Sequence, residues 1–291
     1  MEEDTINITR PQKETSINVP DSVRLAVKSP ASKPVEKPKY PSETIGLPSE
    51  GYFYNSNSPL SKGVVDIKYM TAKEEDILTS QNLIKKGVVL EKLLESLIVT
   101  DGVKTDELLI GDKNALFVAS RRLAYGDSYG PLQVKCPKCG KENNCLIDLS
   151  KVNNKEFEFE KYERGVNLFE FVLPASKVTL KYKLLTHRDE SSIEQELTAL
   201  NKINKSGASA EITTRLKKMI VSVDGNEDRQ IINKFVDQQL LSKDSLAFRI
   251  YVKENTPDID MAFDFECSDC QHNERMGIPL SVSFFWPDTG V

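Results

Sequence analysis

Apolar positions along the chain recur at two periods, and the places where the period changes mark its elements. After the turn Leu47-Pro48-Ser49-Glu50-Gly51, the aromatics Tyr52, Phe53 and Tyr54 read as an extended segment packed on a core. Val64, Val65, Ile67 and Tyr69 give a second short strand. Thr71-Ala72-Lys73-Glu74 then has the form of a capping box, in which the threonine oxygen meets a free amide and the glutamate reaches back, so a helix should follow through Leu78. Beyond Gly87, Leu90, Leu93, Leu94 and Leu97 fall at helical spacing with Glu91, Lys92 and Glu95 turned outward. That stripe reads as core, with a groove for a partner helix as the sharper alternative. A third helix is expected from Asp112 to Tyr125, stopped by Gly126, where Arg121 and Arg122 suit the helix dipole.

The second half alternates first and turns helical afterwards. Phe157 and Phe159 alternate with Glu156, Glu158 and Glu160, and Leu180, Tyr182 and Leu184 alternate with Thr179, Lys181 and Lys183. An acidic and a basic strand edge of this kind could pair and fix register. Leu168 to Leu173 is apolar enough for a third strand. From Thr186 the period is helical: Ile193, Leu197 and Leu200 mark one face, Ile212, Leu216, Met219 and Ile220 another, and residues 201 to 210 are the loop between them. Ile231, Ile232, Phe235 and Leu240 support a further helix after Gly225, and Ser242 to Lys253 a last one. Met261, Phe263 and Phe265, then Val282, Phe284 and Trp286, return to the period of a sheet.

Composition adds a boundary at the start. Residues 1 to about 45 hold six of the fourteen prolines and few large apolar residues, too little to offset the entropy of ordering them, so this segment is expected to be a disordered arm. It reads as a solvated tail or as a strand that orders on a partner. A net charge of −5 over 291 residues argues against gripping phosphate backbones as the main business, and no nucleic-acid partner is expected. The opening Met1-Glu2-Glu3-Asp4 has the wrong charge for a signal peptide, and no stretch approaches the ~18 apolar residues of a membrane span. Five cysteines without a leader point to a reducing cytoplasm.

Four of those cysteines carry the candidate chemistry. Cys136-Pro137-Lys138-Cys139 and Cys267-Ser268-Asp269-Cys270 are two C-x2-C pairs with 127 residues between Cys139 and Cys267. The pairs match beyond the cysteines: Cys136 leads by eleven residues to Ile147 and then Leu149, and Cys267 by the same spacing to Ile278 and then Leu280. Together they supply the four thiolates of a closed tetrahedral zinc site, and two like hairpins each giving two sulfurs make a zinc ribbon. Four buried thiols and a pair of redox motifs are the alternatives; the second lacks the βαβ context it would need. Pro137 and Gly140 favour a tight turn at the first knuckle, whereas Gln271 stands where a second glycine would be wanted. Cys145 reads as a core thiol and His272 as a surface histidine rather than a ligand.

The expected fold class is α+β: zinc-ribbon-like β-hairpins with a large mixed α/β insertion, preceded by a small helical region and the disordered arm. The divisions are 1–45 for the arm, 46–130 for the strand-plus-helix region, 131–150 and 258–291 for the split ribbon, and 151–257 for the insertion. Catalytic signals are missing. His187 in Thr186-His187-Arg188-Asp189-Glu190 reads as part of a helix start, and no phosphate loop, H-E-x-x-H or G-x-S-x-G occurs. With four sulfurs on the metal no position remains for an activated water, so zinc would be structural.

Leu47-Pro48-Ser49-Glu50-Gly51-Tyr52-Phe53-Tyr54, Met70-Thr71-Ala72-Lys73-Glu74-Glu75-Asp76-Ile77-Leu78 and Leu83-Ile84-Lys85-Lys86-Gly87 with the Leu-rich helix resemble the T4-type phage base plate protein family. Tyr125-Gly126-Asp127 and Leu184-Leu185-Thr186 with Asp189-Glu190 look similar too, and the likeness runs over about residues 45 to 285. It implies a non-enzymatic structural or assembly protein of a contractile-tail baseplate hub. Such a protein is made in the host cytoplasm and works through contacts with other baseplate or tail proteins or with copies of itself. The zinc reading rests on cysteine spacing alone. The alternative function is a zinc-ribbon nucleic-acid-binding or transcription adaptor, by analogy of fold.

Overall fold

The computed structural model describes residues 41–203 and 210–285. The expected arm, apart from its last residues, therefore lies outside the described residues, as do Trp286 and most of the 201–210 loop. Residues 201–203 end a helix. The tail of the expected arm is ordered: β1 (Ser42–Gly46) pairs antiparallel with β2 (Val64–Lys68), whose Val65 and Ile67 are fully buried.

Between these strands the aromatics do not extend. Glu50 and Gly51 both have left-handed φ, 49° and 71°, which no ladder accommodates, and a Cβ on Gly51 would meet Ser61 and Gly63 backbone at 2.6 Å. The chain is thrown into successive turns instead, driving Phe53 and Tyr54 into the core. The capping box forms at the start of α1 (Ala72–Thr79). A helix that the periodicity did not reveal, α2 (Gln81–Lys86), ends at Gly87 with φ 73°, and α3 (Val89–Leu97) buries Val89, Leu93, Leu94 and Leu97. α4 (Ile110–Tyr125) ends near Arg121, which does more than face the helix dipole. It is buried, and its guanidinium donates to the carbonyls of Phe284, Gly126 and Ser128 at 3.0, 3.4 and 3.3 Å.

The first cysteine pair lies in the turn of a hairpin, β3 (Ser128–Lys135) and β4 (Glu142–Asp148). The acidic strand expected after β4 does not form. Residues 153–158 are irregular apart from a bridge at Asn154, a 3-10 turn spans Phe159–Lys161, and Phe157, Phe159 and Tyr162 form a ring cluster with Phe53 and Phe169 at centroid distances of 4.8–6.2 Å. Ring contacts, and not a strand ladder, hold this segment in place. β5 (Phe169–Val172), β6 (Thr179–Tyr182) and β7 (Ile220–Val223) form a three-stranded antiparallel sheet in that order. The expected pairing of Glu156, Glu158 and Glu160 with the 179–184 strand therefore does not occur, and Lys181 stands opposite Glu170 of β5 instead. Ile220, expected on a helix face, begins β7, where Val221 and Val223 share its β-branched preference.

α5 (His187–Ile203), α6 (Glu211–Met219), α7 (Arg229–Gln238) and α8 (Ser242–Glu254) complete the helices. Asp244, buried at the start of α8, accepts from the amides of Ala175 and Ser176 at 2.7 and 2.9 Å and so fastens that helix to the β5–β6 turn. The second cysteine pair lies between β8 (Ala262–Glu266) and β9 (Asn273–Gly277). The closing segment is a 3-10 turn, Val282–Phe285, not a strand; both Phe284 and Phe285 insert into the core, which alternation would forbid.

Among the described residues this is a mixed α/β fold with four small antiparallel sheets, and β3–β4 and β8–β9 remain separate two-stranded sheets. The chain on either side brings them together. Residues leaving the first hairpin pair with those entering the second: Lys155 N–H donates to Asp258 O and Asp260 N–H to Asn153 O, each at 2.8 Å. Gly111 on α4 lets that segment pass, since a Cβ there would lie 2.0 Å from Pro257 O.

Candidate metal centre

Each knuckle is built by the same backbone hydrogen bonds. In the first, Cys136 N–H donates to Lys141 O at 2.8 Å and Gly140 N–H to Cys136 O at 2.9 Å; in the second, Cys267 N–H donates to His272 O at 2.9 Å and Gln271 N–H to Cys267 O at 3.0 Å. The bond pattern demands a left-handed residue after the second cysteine. Gly140 takes φ 75°, and Gln271 takes φ 56° in its place. The turn chemistry is thus imposed by the pairing, and the missing glycine does not prevent it.

The two turns face each other. Cys136 Sγ lies 3.7 Å from Cys270 Sγ and Cys139 Sγ 3.7 Å from Cys267 Sγ, and all four sulfurs fall within 4.8 Å of one another. A disulfide would need about 2.05 Å, and the cysteines are all free. Four sulfurs at the ~2.3 Å zinc–thiolate distance on a tetrahedron stand about 3.8 Å apart, so these residues fit such an ion. Cys136 and Cys267 are buried with Phe265 in a small core separate from the main one, whereas Cys139 is exposed and Cys270 half-buried.

Electrostatics make the cluster unsuited to four thiolates without a cation among them. The Cys270 and Asp269 amides, with hydrogen bonds from neighbouring thiols, pull the Cys267 thiol down to about 6. Cys270 goes the other way, to about 12: the His272 amide favours its thiolate, but burial and the sulfurs of Cys139, Cys267 and Cys136 outweigh that. Cys139 is likewise raised, despite the Lys141 amide, by burial and by Cys136 and Cys267. One thiolate suppresses the others, which is the condition a bound cation would relieve.

Two side chains that the spacing did not single out bridge the knuckles. Asn143 of β4 reaches Ser268 and Cys267, and Lys141 makes an ion pair with Asp269. The opposite charges at 141 and 269 are a signal the sequence held; nothing marked Asn143. Cys145 packs half-buried beside the small core, outside the sulfur cluster, and His272 faces Glu274 at 3.4 Å. His187 lies elsewhere, with Lys113 Nζ 3.3 Å from its Nδ1 and Glu91 3.9 Å from a buried Nε2 that accepts or donates no hydrogen bond. Burial and Lys113 hold its pKa down, and no hydroxyl or thiol among the described residues is hydrogen-bonded to its ring. No helix among the described residues is long and apolar enough to cross a membrane.

A sequence model of the family described as T4 bacteriophage base plate protein matches residues 51–286. No curated protein and no solved structure matches the chain.

Proposed function

The chain belongs to the T4 bacteriophage base plate protein family, and from that premise we propose that it is a non-enzymatic structural or assembly component of the baseplate hub. It acts through contacts with other baseplate and tail proteins and is made in the host cytoplasm before entering the particle. The observation that carries this reading is the extent of the match, which takes in the main core and both cysteine pairs. Cys136, Cys139, Cys267 and Cys270 hold a structural zinc ion, and the hairpins around it, within 131–150 and 258–291, act as the two halves of a split ribbon that the 151–257 insertion interrupts. The sulfur spacing supports this. When bound, the ion supplies charge compensation for four thiolates and a rigid join; all four of its positions are filled by sulfur, which suits folding rather than turnover.

Two measurements test the proposal. A mass-spectrometric inventory of purified particles should contain this chain beside other baseplate proteins; its absence from both particles and assembly intermediates would remove the hub reading. Elemental analysis of the purified protein should find zinc, and Cys136→Ser or Cys267→Ser should lose it. Zinc content unchanged by both substitutions would sink the ligand assignment and leave the family role standing.

A further inference from the structure

We propose that Asn143 is a positioning residue for the metal: it docks the second knuckle onto the first in one orientation and holds Cys267 in place. This inference rests on reading the four sulfurs as a metal site. The Asn143 side chain is 8 % exposed and uses its full hydrogen-bonding capacity. Its Oδ1 accepts from Ser268 N–H and from Ser268 Oγ, each at 2.9 Å. Its Nδ2 donates to Lys141 O at 3.2 Å and to Cys267 Sγ at 3.6 Å. A flipped amide would set N–H against the Ser268 N–H and oxygen against a carbonyl and a sulfur, so a single orientation satisfies all four contacts.

The role arises from a difference between the two knuckles. The same two backbone hydrogen bonds recur in each, and that correspondence maps Pro137 onto Ser268. Pro137 has no N–H to donate; Ser268, although exposed, has one, and it is directed across the join at Asn143 Oδ1. The first hairpin therefore supplies an acceptor for the second, with no reciprocal requirement. Seven residues after its first cysteine, the first hairpin has Asn143, while the second has Glu274, which is exposed and faces His272. Two knuckles alike in backbone could close over an ion in either sense. Beside the Lys141–Asp269 ion pair, Asn143 adds a second one-way contact between the knuckles and a donor to a buried sulfur, the kind of outer contact that orients a ligand and tempers its charge.

The test is cobalt(II) binding by the full chain, measured by competition with a chromogenic chelator and by the sulfur-to-cobalt charge-transfer band. Asn143→Ala and Asn143→Asp should each lose about 10–100-fold in affinity and shift the band. The aspartate should be the worse, since it keeps the acceptor for Ser268 but replaces the donor to sulfur with a negative charge. Ser268→Pro imitates the first knuckle, removes the N–H from the other side of the same bond, and should cost about tenfold at the lower end of that range. Adding Asn143→Ala to it should cost less than in the unsubstituted protein. Wild-type affinity and spectrum in both Asn143 variants would overturn the inference alone; should those variants not fold, wild-type affinity in Ser268→Pro would do so. Failure of the unsubstituted protein to bind cobalt would overturn the metal reading with it.

Discussion

Glu74 and Asp112 are both buried carboxylates, yet they respond to pH in opposite senses because their donors differ. Burial alone would raise Glu74, but Lys68 at 2.7 Å, Ser96 at 2.6 Å and the amide and hydroxyl of Thr71 at 2.9 and 2.6 Å outweigh it and hold the carboxyl at about 2. Asp112 has neutral donors at hydrogen-bond distance, Ser49 N–H, Ser49 Oγ and Tyr54 OH at 2.9, 2.6 and 2.5 Å, and burial prevails, lifting it to about 6. Glu74 therefore contributes stability that is present above its unfolded value of 4.5 and is lost as pH falls toward 2. Asp112 keeps its proton longer in the folded chain than the 3.8 of the unfolded one, so its contribution is present below pH 4 and is lost as pH rises through 6. In chemical denaturation at a series of pH values, Asp112→Asn should gain on the unsubstituted protein between pH 4 and 6 and stay level above 7. Glu74→Gln should flatten the acid limb, with a loss near neutrality of about 3–5 kcal/mol, as for other buried pairs that lose one partner. An Asp112→Asn difference independent of pH would show that this carboxyl is not buried as described.

At the scale of elements, what was legible in the sequence was local. The capping box at Thr71, the leucine stripe of α3 and the start and stop of α4 within two residues all come from hydrogen-bonding and packing rules that act within a turn or two. The misses lie where a local rule was overruled: left-handed Glu50 and Gly51 turned residues 52–54 out of an extended run, β-branched neighbours drew Ile220 into β7, and at Phe157 and Phe159, and at Val282 and Phe284, alternation gave way to ring contacts with residues far along the chain. The cysteine pairs were legible because their spacing can be read along the chain, whereas Asn143 was not, because its partners in the second knuckle, Ser268 and Cys267, lie more than a hundred residues away. The second knuckle also shows a residue working against its own preference. Gln271 is held at φ 56°, where a side chain costs roughly 1–2 kcal/mol. Gln271→Gly should therefore stabilise the folded chain by up to about 1 kcal/mol after the extra freedom glycine gains when unfolded, read as a rise in the denaturation midpoint. A lowered midpoint would mean that the glutamine side chain makes a contact outweighing its strain.

At the scale of the whole molecule, the described residues form two cores of very different size. One apolar cluster runs from Leu47 to Phe285, while Cys136, Phe265 and Cys267 form a second with little aliphatic surface of its own. Under the proposed ligation, removing zinc should leave the first intact and loosen only the second. Hydrogen exchange after chelation should rise across residues 133–145 and 262–277 and stay slow in α3 and α4. Protection lost uniformly would mean that the ion supports the entire fold. The sulfur cluster also links points 128 positions apart in the chain. With an ion in that clasp, everything from 140 to 266 is a closed ring, and closing a ring of that length removes disorder from the unfolded chain worth up to about 5 kcal/mol, by analogy with a cross-link. A single cut by a protease inside the ring would then leave two pieces fastened twice, by the main core and by the clasp, so that they part only when the core is unfolded and a chelator is present together.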